Sequence, residues 1–326
     1  MPQPHLLGKV LITAASVKGH APALAALRAA GCEPVLAQTP NPCTEDWLLA
    51  QTRDMAALVL AMEPVSARVL DAASQLRVIA RPGVGYDTVD MAAATRRKVA
   101  VTIAAGTNDQ SVADHAFGLL LMACRGLNSA VNSVQSHGWD RPIGTEVWGK
   151  TIAIVGHGRI GRAIARRAKG FDMQVLVVTP HPGPNEEGVR FVSLDEALAQ
   201  ADVVSLSAPL TAQTEGLINA RTLALMKPGA YLINTSRGGL IDEAALADAV
   251  RRGHLAGAAV DVLRQQGAGS PSPLIGVPGI LVTPHMATLT RESMARVAMS
   301  VAHSVISALR GERPTHVVNP EVYDGH

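Results

Sequence analysis

The sequence predicts an α/β protein made of two Rossmann/flavodoxin-like domains, and three observations carry that prediction. Short apolar runs alternate with helical patterns from end to end. The alternation restarts after Trp148-Gly149-Lys150. A chain of 326 residues is also longer than one ordinary core organises. Strands alternating with helices imply a parallel sheet covered on both faces.

Taken in order, residues 9–13 (KVLIT) read as a buried strand, and residues 21–30 as a helix that Gly31 ends. Strands are predicted at 57–61 and 76–80, with a helix opened by Pro64 and running to about Ser74 between them. A helix over 89–96 leads to a strand at 99–103. A long apolar helix then spans 111–125, with Ser111 as its cap and Asp114 as the capping-box acid. The second series places strands at 151–155, 174–178, 203–207, 230–234, 258–262 and 280–283. A closing helix over about 291–310 has no place in that second unit and can return to the first.

Composition excludes several function classes. Apolar residues make up 48% and charged residues 17%, the balance of a folded protein. A net charge of +2 provides no field for nucleic acid or an acidic membrane. Arg96-Arg97 and Arg166-Arg167 read as solvated helix faces. Cys32, Cys43 and Cys124 show neither metal nor disulfide spacing, so a reducing, cytoplasmic setting is expected. The start, MPQPHLLGKV, lacks the pattern of a signal peptide, and no apolar run is long enough to span a bilayer.

The strongest motif is Gly156-His157-Gly158-Arg159-Ile160-Gly161, directly after the strand TIAIV and opening a helix. Gly156 is read as the tight turn, Gly158 as the point where backbone approaches a pyrophosphate, and Gly161 as the close helix–strand contact. The helix N-terminus offers free N–H groups and a positive dipole end to the phosphates. A dinucleotide, NAD or NADP, is therefore the expected cofactor. The second strand should end in an acid that holds the ribose hydroxyls, but Thr179-Pro180-His181 stands there. Losing the acid removes repulsion of a 2′-phosphate, yet no arginine follows to attract one, so the two cofactors stay open.

Three further segments lie at or just after predicted strand ends: Asn234 to Gly239 (NTSRGG), Asp261-Val262 and Thr283-Pro284-His285. Ligands of open α/β sheets bind at that edge. An arginine and a histidine there suit a carbonyl compound that carries a carboxylate.

With these segments the sequence resembles the D-isomer-specific 2-hydroxyacid dehydrogenases over nearly its whole length. The resemblance rests on Arg81 to Asp87 (RPGVGYD), Asn108 to His115, GHGRIG, NTSRGGLID, AAVDV and TPHMA. It implies hydride transfer between NAD(P)(H) and a small 2-hydroxy or 2-keto acid, and a homodimer. It also implies a split substrate domain, residues 1–105 plus 291–326, around a cofactor domain, residues 106–290. By the same resemblance Arg237 grips the carboxylate and polarises the carbonyl, as its planar fork suits. His285 is the general acid in reduction and the base in oxidation. Val84 and Gly85 offer backbone N–H groups to the substrate, and Asn108 matches a substrate-binding asparagine. Ala208, Pro209, Thr235, Ser236 and Asp261 border the cofactor, with Asp261 near the nicotinamide carboxamide. Asp114 and His115 match a structural acid–histidine pair.

One position departs from the family. The glutamate that usually pairs with the catalytic histidine is Gln266 here, and no Asp or Glu occurs from Val262 through Arg291. Gln266 can orient His285 by a hydrogen bond but cannot stabilise an imidazolium by charge. Formate dehydrogenases of this family carry glutamine at this position, so formate oxidation is the alternative enzyme reading. The chain lacks the long N-terminal extension of many of those enzymes. A third reading is a dinucleotide-sensing protein like the corepressors that share the fold, against which Arg237 and His285 argue.

Overall fold

The strand Gly8–Ile12 (β1) shows how both sheets are built. Val10 and Ile12 enter one core, Leu11 enters the opposite one, and all three are wholly buried. Period-two alternation with both faces apolar is what a sheet covered on two sides requires. The computed structural model describes residues 6–40, 43–183 and 188–324. The opening residues 1–5, part of the segment read for a signal peptide, lie outside the described residues.

After β1 come α1 (Ala15–Lys18), α2 (Ala21–Ala29), β2 (Cys32–Leu36), α3 (Glu45–Thr52), β3 (Met55–Val59), α4 (Ala67–Ala72), β4 (Val78–Arg81), α5 (Met91–Arg96) and β5 (Ala100–Ile103). These five strands pair in parallel in the order β2-β1-β3-β4-β5. That is the flavodoxin-like order, with its reversal next to β1.

The next stretch holds α6 (Asp109–Arg125), α7 (Leu127–Gln135), β6 (Thr151–Val155), α8 (Arg159–Gly170), β7 (Gln174–Val178), β8 (Val189–Phe191), α9 (Leu194–Gln200) and β9 (Val203–Leu206). It continues with α10 (Ala220–Leu225), β10 (Tyr231–Asn234), α11 (Glu243–Arg251), β11 (Gly257–Val260) and β12 (Ile280–Val282). Its seven parallel strands run β12-β11-β10-β9-β6-β7-β8. The order reverses between β6 and β9, which is the switch point of a Rossmann sheet. Ile152 and Ile154 of β6 pack toward α6 and α8, while Ala153 and Val155 face the opposite core.

The last helix, α12 (Arg291–Leu309), packs on α1, α2 and β4. Thr290 Oγ1 caps it by accepting from Ser293 N at 3.1 Å. Val297, Val301, Val305 and Leu309 form its buried stripe, each contributing about 1.5–3 kcal/mol by leaving water. The chain thus divides into two compact units, residues 1–108 with 289–326, and residues 109–288.

Several elements differ from the sequence reading. The long helix begins at Asp109, so Ser111 is not its cap but a buried residue of the first turn. Asp114 instead accepts from Arg167 Nε and Nη2 at 2.8 and 2.6 Å, tying α8 to α6. Arg167 is accordingly a docking residue rather than part of a solvated face. The strand expected at 57–61 is Met55–Val59, displaced two residues because the whole run 55–60 is buried and offers no polar edge. The sequence reading places neither strands β2 and β8 nor helices α1, α3, α7, α9, α10 and α11. Among the described residues no helix is long and apolar enough to cross a membrane.

Candidate active site

The glycine turn follows β6 at the switch point. Gly156 has φ +102°, a conformation glycine alone adopts freely, and a Cβ there would stand 2.6 Å from the Ser207 carbonyl. A Cβ on Gly161 would collide with the Gly156 carbonyl oxygen. A Cβ on Gly158, by contrast, would meet nothing within 4 Å. Gly156 and Gly161 therefore serve the protein's own packing, while Gly158 keeps the N-terminus of α8 bare. Arg159 and Ile160 form the first turn of α8, with Arg159 exposed. The His157 ring packs edge-on against Phe191, with centroids 5.4 Å apart.

Thr179, where the ribose-binding acid was expected, accepts from His181 N at 3.3 Å and so closes the turn after β7. Pro180 and His181 are exposed. Ala208 is buried after β9, and its carbonyl accepts from Ser236 Oγ at 2.5 Å. Exposed Pro209 accepts from Thr214 Oγ1 at 2.7 Å. Two hydroxyls beside this turn, Ser207 Oγ and Thr235 Oγ1, are buried without a hydrogen-bond partner among the described residues. Buried polar atoms left unpaired are costly. Orphaned hydroxyls beside a bare helix N-terminus fit the phosphates and amide of a dinucleotide.

Three neighbouring strands deliver the chemical residues. Arg237 follows β10, Gln266 follows β11 and His285 follows β12. The turn after β10 is set by buried Asn234, whose Oδ1 accepts from Ser236 N at 3.0 Å and whose Nδ2 donates to the Arg237 carbonyl at 2.9 Å. Arg237 Nη1 donates to the Ser236 carbonyl at 2.8 Å. Gly238 is obligatory because a Cβ there would strike the backbone of Leu263 and Arg264. The loop carrying Gln266 is anchored by buried Glu243, which accepts from Arg264 N at 2.6 Å and Ser272 Oγ at 2.7 Å.

Gln266 Oε1 lies 2.8 Å from His285 Nδ1, and Gln266 Nε2 donates to the Leu263 carbonyl at 3.4 Å. The amide can only accept through Oε1, so Nδ1 carries the hydrogen and donates. His285 has φ +53°, unusual for a residue with a side chain.

Asp261 directly follows β11. Its carboxylate is fully enclosed and accepts from Thr283 Oγ1 at 2.6 Å, Met286 N at 2.9 Å and Ala287 N at 2.8 Å. His115 Nε2 lies 3.3 Å from the same carboxylate. Burial alone would push Asp261 up, but hydrogen bonds from His115, Thr283 and the Met286 and Ala287 amides outweigh it and hold the carboxyl below its usual range. The carboxylate thereby holds the 283–287 turn.

In the first unit, Val84 and Gly85 lie in the turn after β4. Buried Arg81 secures that turn, donating from Nε to the Gly85 carbonyl at 3.3 Å and from Nη2 to the Ala61 carbonyl. Asn108 ends this unit's first segment, is 2% exposed and keeps Oδ1 buried without a hydrogen-bond partner among the described residues. Leu60, after β3, is wholly buried in the core and cannot touch a ligand, whereas Met62 and Met286 are exposed. Sequence reasoning did not assign Asn234, Glu243 or Thr283. Their types, polar residues at strand ends or helix starts, were the available signal.

A parallel sheet with a glycine turn at its switch point, and an arginine and a histidine at the same edge, defines a nucleotide-dependent oxidoreductase fold. The profile of the "D-isomer specific 2-hydroxyacid dehydrogenase, NAD binding domain" family matches residues 117–287. D-3-phosphoglycerate dehydrogenase of Mycobacterium tuberculosis is 42% identical over 284 residues, covering 86% of this chain and 54% of that protein. The chain thus spans about half the length of those relatives. Glyoxylate reductase of Korarchaeum cryptofilum is 38% identical over 86% of this chain and 88% of its own. The crystal structure of a glyoxylate reductase from Paecilomyes thermophila superposes with a TM-score of 0.85 at 29% identity, over 98% of this chain and 99% of that one. The chain belongs to the D-isomer-specific 2-hydroxyacid dehydrogenase family.

Proposed function

We propose that this chain uses NAD(H) or NADP(H) to interconvert a small 2-keto acid and its D-2-hydroxy acid. The observation that carries the reading is the delivery of Arg237, Gln266 and His285 by three adjacent strands to the edge that bears the glycine turn. The cofactor, when bound, supplies or takes the hydride at the carbon next to the carboxylate. Ser207, Thr235 and the bare backbone at Gly158 are the residues that would hold it. Arg237 pairs with the substrate carboxylate through its fork. The Val84 and Gly85 amides and Asn108 are assigned to the substrate on the same reading, with residues 1–105 and 291–326 as the substrate domain.

The tautomer at His285 fixes its task. With Nδ1–H held by Gln266, neutral imidazole leaves the Nε2 lone pair to accept the hydroxyl proton in oxidation. In reduction the imidazolium donates Nε2–H to the carbonyl oxygen. Gln266 and His285 therefore act as an orienting group and a proton carrier.

The protein is further proposed to work as a homodimer in the cytoplasm. No residue of α7 is buried, and Leu127, Val131 and Val134 share one exposed face, followed by Trp139 at 76% exposure. The helix carries no charge, so a second copy of the same apolar face suits it. Buried Cys32 and Cys124 are free thiols, and burial pushes the Cys124 thiol up to about 12, as fits a reducing compartment.

The test is a panel of glyoxylate, hydroxypyruvate and pyruvate with NADH and NADPH, plus formate with the oxidised cofactors. Turnover of a keto acid that Arg237→Gln abolishes supports the proposal. Formate oxidation alone selects the formate reading that Gln266 suggests, and cofactor binding without any turnover selects the sensor.

A further inference from the structure

The turn that carries His285 is gripped from below by one carboxylate. Three successive amides, those of His285, Met286 and Ala287, all end on Asp261. The first donates to its backbone carbonyl at 2.8 Å and the others to Oδ1 and Oδ2 at 2.9 and 2.8 Å. Thr283 Oγ1 donates to Oδ1 at 2.6 Å. Behind it on α6, His115 Nε2 lies 3.3 Å from Oδ1 and 3.2 Å from Thr283 Oγ1. The bracketed residue, His285, is the one with φ +53°. A side-chain-bearing residue keeps that conformation only where its surroundings impose it, and such positions cluster at functional sites. No other acid in this stretch can do the work, since none occurs from Val262 through Arg291.

We propose that Asp261, backed by His115, is a positioning residue that holds the His285 turn in its left-handed conformation and so sets the imidazole against Gln266. This rests on the reading of His285 as the proton carrier. The role is separate from any contact of Asp261 with the cofactor.

Asp261→Asn in the full chain is the direct test. Asparagine keeps the size but turns one acceptor into a donor, so the Met286 or Ala287 amide loses its partner. Three measurements are made: cofactor Kd by NADH fluorescence, kcat and KM for the keto acid found in the panel, and the His285 ring signals in a 15N-histidine NMR spectrum, assigned with His285→Gln. The clamp predicts, whatever the cofactor Kd does, loss of the hydrogen-bonded Nδ1–H signal and a kcat lower by about 10²-fold, the scale of a catalytic group displaced by about 1 Å. A raised Kd with an unaltered ring signal means direct cofactor contact and overturns the clamp. A kcat and ring signal both equal to the parent's also overturn it. A parent that turns over nothing but loses the ring signal on Asp261→Asn keeps the clamp and sinks the catalytic reading instead. Should Asp261→Asn not fold, His115→Phe against His115→Gln decides. Phe removes the donor and must weaken the ring signal and kcat, while Gln restores an N–H and must recover them. Equal behaviour of the two overturns the proposal.

Discussion

Replacing Gln266 with glutamate puts a full negative charge where a neutral oxygen now accepts from His285 Nδ1 at 2.8 Å. Charge centres about 4 Å apart interact by about 4 kcal/mol at an effective dielectric near 20. That equals about three pKa units at 1.36 kcal/mol each. Gln266 is exposed, so water screens the pair and the low end of the usual range, about one unit, is expected. The sign follows from the state that gains. A carboxylate favours imidazolium, so the histidine pKa rises in Gln266→Glu. Keto acid reduction needs the protonated ring and should persist about one unit further toward alkaline pH. Hydroxy acid oxidation needs the neutral ring and should reach its plateau about one unit later. The assay is kcat/KM against pH in both directions for parent and variant, at low and high salt. A histidine limb that stays in place, or moves toward acid, refutes the electrostatic account of the Gln266–His285 pair.

Four other outcomes are expected. Gly158→Ala should leave the melting temperature unchanged yet weaken cofactor binding, because its Cβ meets nothing in the protein but enters the path of the phosphates. Gly161→Ala should lose about 3 kcal/mol or more of stability, since overpacking falls directly on backbone; calorimetry and cofactor titration check both, and equal stability of the two variants contradicts the assignment. Asp202 accepts from Lys227 Nζ at 2.5 Å and Thr151 N at 2.9 Å. Burial alone would raise its pKa, but those bonds outweigh it and hold the carboxyl below its usual value. Its contribution is therefore present above about pH 4, the ordinary aspartate value, and lost as pH falls through the lower folded value. Asp202→Asn should cost about 1 kcal/mol at pH 7 and progressively less as pH falls below about 4, and a pH-independent difference in denaturant melts would count against it. Val131→Glu on α7 should convert a dimer to monomer in sedimentation with unchanged circular dichroism, whereas an unaltered sedimentation coefficient removes α7 from the interface.

Legibility in the sequence followed the range over which the physics acts. Strands β6 and β7 were bounded correctly because interior strands buried on both faces read as continuous apolar runs. Strand β2 was not read, because Pro34 and Glu33 look foreign to a strand. As the sheet's edge strand it tolerates a residue without an N–H. Strand β8 is a three-residue edge and too short to show a period. The roles given to Gly156, Gly158 and Gly161 depend on a local turn, and local spacing sufficed to see them. Asp261 and Glu243 act on backbone 21 to 26 residues away. Nothing in the adjacent sequence marks a carboxylate as the acceptor for so distant an amide. The same limit hid Arg167, whose partner Asp114 lies 53 residues away on another helix.

Gln266 is weaker evidence for formate than the bare substitution suggests. An amide in place of a carboxylate lowers the protonated share of the histidine it faces but still gives the ring a hydrogen bond, which tunes a keto acid reductase without disabling it. Oxidation of a hydroxy acid is favoured by the same change, since Gln266 accepts from Nδ1–H and the neutral ring is the base. Formate differs in kind, because it gives up hydride and has no hydroxyl proton to pass to a side chain. Its rate should then stay level with pH, while keto acid reduction should fall as pH rises. A keto acid profile as flat as the formate one would mean that His285 carries no proton in this protein, whatever Gln266 does to it.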